Sequence, residues 1–476
     1  MNSDGQIPSV APPAPARGFW RDVRASISGA QIDYTRATLS RAILLLSIPM
    51  VLEMSMQSLF GVVDVFFVGK LGAEAVAVVG MTDSLLTLVF AVAIGLSMGT
   101  TAMVARRVGE GDRRSAALAA VQAIGLGVGI SIPLGAVGLL YSADLLALMG
   151  ASRELIAGGS TFTAIILGSN LVVMMLFLIN AVFRGAGEPA ISMRALWIAN
   201  IINMLLDPLL IFGWGPIPAL GLTGAAVATT TGRGIGVAYQ FYRLSGGRGR
   251  IAIVADELRI DRAVLARLIR VSAIGVLQFL ISTASFLGLI RIVAIFGEAA
   301  LAGYTIAVRV IVFVLLPAWG VGNAAATLVG QNLGAGDTRR AERAVWITGW
   351  INMVFLALVA LGFLVAAEQV VRVFSDDEIV VAYATDCLLI VSASYVFWAY
   401  GMVLMMAFNG AGDTTTPTWI NLLVFWVLQI PLAYGLALPL GMGPRGVFIA
   451  IAAAQTALAL VSLVVFRQGR WKSRVI

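Results

Sequence analysis

The sequence predicts an all-α membrane protein: twelve transmembrane helices in two six-helix lobes related by internal duplication. Three observations carry that expectation: an extreme apolar composition, long uninterrupted apolar runs, and a set of motifs that occurs twice. Hydrophobic residues make up 59% of the 476 and charged residues 12%, against about 45–50% and about 25% in soluble domains. Runs of about 20 apolar residues, enough to cross a hydrocarbon core of about 30 Å, fill most of the chain from Arg41 to Arg467. Twelve such runs can be counted, beginning near Ala42, Met81, Ala116, Leu155, Ile191, Leu222, Val264, Leu301, Ala344, Val381, Trp419 and Val447.

The duplication is read from glycine motifs. Val108-Gly109-Glu110-Gly111-Asp112 returns as Leu333-Gly334-Ala335-Gly336-Asp337, a shift of about 225 residues. The same shift carries Gly185-Ala186-Gly187-Glu188 onto Gly410-Ala411-Gly412-Asp413, Gly221 onto Gly446, and Gly72-Ala73-Glu74-Ala75 onto Gly297-Glu298-Ala299-Ala300. With 51 glycines in the chain one match means little, but several at one offset imply two homologous halves. The polar residues do not follow. Asp64 falls on Leu289, Asn200 on Phe425, Asn203 on Leu428, Asp207 on Leu432 and Thr229 on Ala454, so only the first half is ionisable at these depths.

Basic residues alternate from loop to loop. They gather before the first run (Arg17 to Arg41), after the second (Arg106, Arg107, Arg113, Arg114), between the halves (Arg243 to Arg270), after the eighth run (Arg339, Arg340, Arg343) and in the tail (Arg467 to Arg474). The positive-inside rule then places both termini in the cytoplasm of a bacterial-type inner membrane. A net charge of +7 distributed in this way gives no basic face for nucleic acid. The lone Cys387 excludes an intrachain disulfide and reads as a buried apolar residue, and the absence of histidine removes the usual metal ligand and general base. The glycine loops lack the Lys-Ser/Thr tail of a phosphate-binding loop, so neither an enzyme nor ATP hydrolysis is expected. Expected domains are a largely disordered cytoplasmic tail over 1–40 with no signal peptide, a first lobe over 41–243, a linker over 244–262, a second lobe over 263–467 and a basic cytoplasmic tail over 468–476.

The first run places Glu53, Gln57 and Asp64 at about 0°, 40° and 20° around a helix, one narrow polar stripe. Charge at mid-bilayer costs at least about 2.5–3.5 kcal/mol, so such a stripe calls for a bundle interior or water-filled cavity. Glu53, near the start of the run, could instead snorkel to the interface, and Asp64 could be the outer end of the span. The fifth run sets Asn200, Asn203 and Asp207 at about 0°, −60° and −20°, with Pro208 following. Amides alone would serve as packing glue; a carboxylate shielded from water can exchange a proton. Pro49 removes a backbone donor in the helix that carries Asp64 and permits a bend. In the second half Gln278, Arg291 and Arg309 are the main polar intrusions, with snorkelling as the default. Met174 and Met175, and Met402 with Tyr395 and Trp398 near it, would suit a tolerant pocket for greasy or cationic ligands, or simple packing.

The ordered set Ile48-Pro49, Val63-Asp64-Val65-Phe66-Phe67-Val68-Gly69-Lys70-Leu71-Gly72, Phe183-Arg184-Gly185-Ala186-Gly187-Glu188-Pro189, Asn203-Met204-Leu205-Leu206-Asp207-Pro208 and Gly330-Gln331-Asn332-Leu333-Gly334-Ala335-Gly336-Asp337 resembles the MATE (multidrug and toxic compound extrusion) family. The resemblance implies a central cavity between the lobes and export of amphipathic or cationic small molecules against inward proton or sodium flow, without a cofactor. The chain is further similar to the DinF-type branch, which implies a cation-coupling site at Asp64, Asn203, Asp207 and Thr229, with Thr223 and Thr230 as competing threonines. Glu53, Gln57 and Asn200 would be accessory, Pro49 helix-bending, and Met174, Met175, Gln278, Tyr395, Trp398 and Met402 possible cavity residues. Sodium coupling would make Asp64, Asn203 and Asp207 metal ligands. A monomer in the bilayer is expected, and a lipid-linked oligosaccharide flippase of the same superfamily is the alternative. Where related branches carry acids in the seventh and tenth helices, this chain has residues near Ser282 and Trp398.

Overall fold

The computed structural model of the chain describes residues 18–30, 32–246, 249–251, 253, 257–474 and 476. After a short helix α1 (Phe19–Ser28), the first half runs α2 (Leu39–Gly69), α3 (Ala73–Gly109), α4 (Arg113–Leu140), α5 (Ser142–Leu148), α6 (Arg153–Gly168), α7 (Asn170–Ala186), α8 (Pro189–Phe212) and α9 (Gly221–Ser245). The second runs α10 (Arg262–Ala294), α11 (Glu298–Gly334), α12 (Thr338–Arg372), α13 (Glu378–Ser392), α14 (Tyr395–Gly410), α15 (Thr415–Asn421), α16 (Ile430–Ala437) and α17 (Pro444–Arg467). Leu422–Gln429, between α15 and α16, is wound as a π-helix, and Arg470–Ser473 closes the chain with a 3-10 turn. Among the described residues ten helical spans are long and apolar enough to cross a membrane, Arg153–Ala186 (α6 with α7) counting as one, and α13 with α14, bent by 61°, makes an eleventh. Helix α9, 25 residues long, is the remaining crossing; its threonines and Arg233 dilute its apolar content while it packs back along α8.

The tail expected to be largely disordered over 1–40 needs correcting. Residues 1–17 lie outside the described residues, but Phe19–Ser28 is helical because its polar side has specific partners on α2 and α8. Asp22 accepts from Arg41 at 3.1 Å, Ser26 donates to the Leu45 carbonyl at 2.8 Å, and Arg194 donates to the Ile27 carbonyl at 2.8 Å. Leu45 is the residue whose carbonyl would have bonded the missing N–H of Pro49. Helix α2 runs unbroken through Pro49, and Ser26 serves the carbonyl that the proline leaves without its usual donor.

The repeated glycine motifs have two structural jobs. Asp112 and Asp337 are N-caps, accepting from Ser115 N at 2.9 Å and Arg340 N at 2.8 Å to start α4 and α12. Gly111 and Gly336 supply the φ of +79° and +77° that the intervening turns need. The first glycine of each motif joins the lobes. A Cβ on Gly109 would stand 2.0 Å from the Gln331 carbonyl oxygen, and one on Gly334 would stand 2.1 Å from that of Arg106. These contacts exchange under the 225-residue shift, so α3 and α11 cross about a pseudo-twofold axis. A second pair follows the same symmetry: Gly95 on α3 lies against the Val276 backbone of α10, and Gly320 on α11 against Met50 and Val51 of α2.

The Gly109 and Gly334 crossings lie at the end of the bundle that carries the arginine-rich loops, and those of Gly95 and Gly320 lie about 21 Å further in, still in the basic half of their helices. A shared apolar cluster of Tyr34, Ala42, Leu46 and Met50 with Ala324, Leu328 and Ala344 seals that end. Toward the other end each lobe has its own core, around Val78, Leu86, Ile166 and Ile211 in the first and Leu289, Phe363, Tyr395 and Phe448 in the second. The molecule is therefore two helical bodies joined at the basic end.

Gly334→Ala should lower stability by about 1–3 kcal/mol, because a methyl group cannot share space with a main-chain carbonyl. Gly125→Ala, with no atom within 4 Å of the added carbon, should be neutral or stabilising. Thermal unfolding of the two variants in detergent measures the difference; equal midpoints would remove the seam from this account.

Candidate functional site

Inside the first lobe, toward the end opposite the seam, α2, α3, α8 and α9 bring together the polar groups that the second lobe lacks. Asp207 and Asn203 sit one turn apart on α8, 0% and 2% exposed. The Asn203 amide donates to Asp207 Oδ1 at 3.3 Å and to Thr229 Oγ1 of α9 at 3.1 Å. Of the competing threonines, Thr230 bonds Ser169 at 3.0 Å, so Thr229 is the one that meets Asn203. Asn203 Oδ1 and Asp207 Oδ2 are both buried without a hydrogen-bond partner. Buried oxygens of this kind cost free energy unless a proton or cation answers them.

Asp64 of α2 does not hydrogen-bond to this trio. It is partly buried, near enough to Asp207 and to Arg233 of α9 for their charges to interact, and Arg233 reaches Asp83 of α3 in the same way. Arg233 also lies over the Phe60 ring at 5.7 Å. The site thus sets three carboxylates against one guanidinium, a surplus of acid that can take up cations. Among the described residues no group of three or more His, Cys, Asp or Glu is placed to hold a metal ion, so a sodium ion would depend on the amide and hydroxyl oxygens of Asn203 and Thr229 as well.

Glu53 belongs to a different arrangement, nearer the seam. It does not snorkel: it is 1% exposed and paired with Arg184 of α7 at 3.0 Å. Asn180 donates to the same Glu53 oxygen at 3.2 Å, and Gln240 of α9 donates to Asn180 at 2.6 Å. The Arg184 carbonyl accepts from Thr327 of the second lobe at 3.1 Å. Gln57 is partly buried, and Asn200 reaches only the Met56 carbonyl, at 3.5 Å. The polar stripe of α2 therefore divides between a structural ion pair and a surplus-acid site.

The expected cavity residues are mostly elsewhere. Met174 and Met175 pack against Gly127 in the first lobe's core. Tyr395 lies inside the second lobe against Phe363, and Met402 is buried in that same core. Large apolar side chains at helical spacing were taken by core packing, the stronger demand on them. Trp398 is partly exposed beside Tyr395, and Gln278 is buried with Oε1 unpartnered. In the second lobe neutral groups flank the π-helical turn, Asn421 donating to Ser282 at 3.0 Å and Ser285 to Gln429 at 3.3 Å, while Arg291 and Arg309 are exposed.

Sequence reasoning did not single out Arg233, Asp83, Asn180 or Gln240. The offset carried the signal, since it places them on Leu458, Val308, Met405 and Val465. Arg184, quoted only as part of a motif, falls on Asn409.

Comparison with known proteins agrees with the two-lobed fold. The chain is 25% identical over 435 residues to the "Probable multidrug resistance protein NorM" of Thermotoga maritima, covering 90% of this chain and 93% of that one. It is 26% identical over 400 residues to a "FAD transporter" of Shewanella oneidensis, covering 83% and 88%. The crystal structure of a MATE protein in complex with MaL6 superposes with a TM-score of 0.87 at 25% identity, over 92% of this chain and 98% of that one. The MatE family model matches twice, over residues 49–209 and 275–435, once in each lobe and displaced to within one residue as the glycine motifs are. This protein, with its two six-helix lobes, belongs to the MATE family of membrane transporters.

Proposed function

We propose that the protein is an antiporter that exports amphipathic or cationic small molecules against an inward flow of protons or sodium, coupled through the first lobe. The observation that carries this reading is the pair of partnerless buried oxygens, Asn203 Oδ1 and Asp207 Oδ2, in a site with three acids and one arginine. The names of relatives in bacteria, such as the Thermotoga multidrug resistance protein, support the cargo class.

The geometry suggests the cycle. With the arginine-rich end in the cytoplasm of the inner membrane, the lobes are closed inward and part outward. Asp64 is five residues from the outer end of α2, about 8 Å along the helix, and Asp83 and Arg233 are about 15–18 Å from the outer ends of theirs. A cation arriving from outside reaches this cluster without crossing the seam. Its binding neutralises excess carboxylate, which lowers the cost of burying the cluster and favours the change of lobe packing that follows release of cargo. Each charge crossing 100 mV supplies about 2.3 kcal/mol. Pro49 adjoins Met50 and Val51, the residues seated on Gly320, so α2 can bend at the fulcrum while its outer half, with Asp64, moves.

In proteoliposomes with imposed proton or sodium gradients, Asp207→Asn should reduce gradient-driven transport at least tenfold, and Asp64→Asn likewise, with normal insertion. Full transport by both variants would sink the assignment. The cargo panel should contain organic cations and FAD, because one relative is named as an FAD transporter; uptake of FAD alone would replace the cationic cargo class while leaving the coupling site standing.

Glu53→Gln leaves Arg184 buried without its charge partner and should cost about 3–5 kcal/mol, seen as lost yield and a lower unfolding temperature. The double variant Glu53→Gln/Arg184→Gln should recover most of that stability and retain ion coupling. Loss of coupling in a stable double variant would move Glu53 into the transport site.

A further inference from the structure

We infer that α1 is a lipid-binding helix that lies on the anionic surface of the membrane at the basic end of the molecule. Its residues sort into three strips. Asp22 and Ser26 are buried, bonded to Arg41 and to the Leu45 carbonyl of α2. Phe19, Val23, Ile27 and Trp20 fall at about 0°, 40°, 80° and 100° around the helix, a continuous apolar strip. It faces outward: Phe19 is 59% exposed and Trp20 79%. Arg21 and Arg24 are exposed and flank it on the remaining side. The helix's one acid, Asp22, is turned inward to Arg41, so the outer surface carries positive charge and no negative charge.

The depth of α1 fits this occupant. Ser26 meets Leu45, six residues into a membrane span that starts at Leu39, about 9 Å along it. Helix α1 therefore lies beside the first turns of that span, where acyl chains give way to headgroups, and its apolar strip continues the lipid-facing surface of the bundle. An apolar face with cationic flanks at that depth is the composition of an interfacial helix, drawn to anionic headgroups and seated in the acyl boundary. A soluble anion would satisfy the arginines and leave the aromatic strip in water; an anionic lipid leaflet satisfies both.

The helix also touches the transport machinery. Ser26 bonds the carbonyl that Pro49 leaves without its usual donor, and Tyr34, just beyond α1, is buried in the cluster that seals the lobes. Seating α1 on lipid thus holds the α2 backbone one turn before Pro49, and lipid charge becomes a regulator of bending there.

The test uses the full chain with its one cysteine replaced (Cys387→Ala) and a reporter at Ile27→Cys carrying an environment-sensitive dye. The protein is placed one copy per nanodisc, with lipids bearing a quencher high on the acyl chain, with or without phosphatidylglycerol. The expected result is strong quenching in anionic discs. Arg21→Gln and Arg24→Gln should each lower the docked-to-undocked ratio roughly fivefold, and added salt should act in the same direction. Absence of quenching in either disc overturns the proposal, as does quenching indifferent to phosphatidylglycerol and to both arginine variants. Shielding of the dye that grows only as copies per disc increase would assign the strip to a second copy of the chain instead. Quenching is read without transport, so failure of this inference and failure of the antiport reading are separable.

Discussion

The structure depends on a backbone-to-backbone crossing that only glycine permits. At Gly109 and Gly334 helices α3 and α11 approach until a Cβ would overlap a carbonyl of the partner, and at Gly95 and Gly320 the same closeness joins α3 to α10 and α11 to α2. Without side chains between them, these helices gain dispersion contact that lipid cannot match, which is how small residues hold helices together in a bilayer. Because all four crossings lie in the basic half of their helices, each lobe keeps its own core toward the other end. The pseudo-twofold relation explains why both halves keep the glycines although they have parted in nearly every other polar feature.

That parting is chemical rather than architectural. Glu53 and Arg184 in the first lobe stand where Gln278 and Asn409 stand in the second, and Asp64, Asp83, Asp207 and Arg233 stand where Leu289, Val308, Leu432 and Leu458 stand. At the matched positions themselves the second lobe packs with apolar side chains, and its two arginines at similar depth, Arg291 and Arg309, are exposed rather than buried. In the antiport proposed above, a charge cluster kept in one lobe against the cost of burial serves ion movement rather than packing. Within the first lobe the two charged arrangements differ in kind: Glu53 carries its own cation and is neutral as a pair, whereas the outer cluster has more acid than base.

Much of this was legible in the sequence because burial in lipid leaves strong marks. Apolar runs disclosed the crossings, and the repeat disclosed the lobes. The run beginning near Leu222 became α9, whose apolar content Thr229, Thr230, Thr231 and Arg233 dilute where it packs along α8. Helical angles placed Glu53 and Asp64 on one stripe of α2, but an angle does not tell which neighbour waits at each depth; Arg184 meets the first and Arg233 stands near the second. Met174, Met175, Tyr395 and Met402 illustrate the converse. Their composition suits a binding pocket and a core equally, and only the burial of each lobe decides for the core.

By itself the sequence determined the membrane class, the duplicated lobes, the polar face of α8 and the absence of its counterpart in the second half, because period and composition act along a single helix. Only the tertiary structure decided that Asn203 takes Thr229 rather than Thr230 as its partner, that Glu53 is neutralised by Arg184, that Arg233 lies near Asp64 and Asp83, and that α1 serves the α2 carbonyl one turn before Pro49. Each of those outcomes depends on how two different helices come together, even where, as with α1 and α2 or α8 and α9, they are consecutive in the chain. Spacing along one helix cannot specify them, since they are fixed by how closely glycine lets the helices approach.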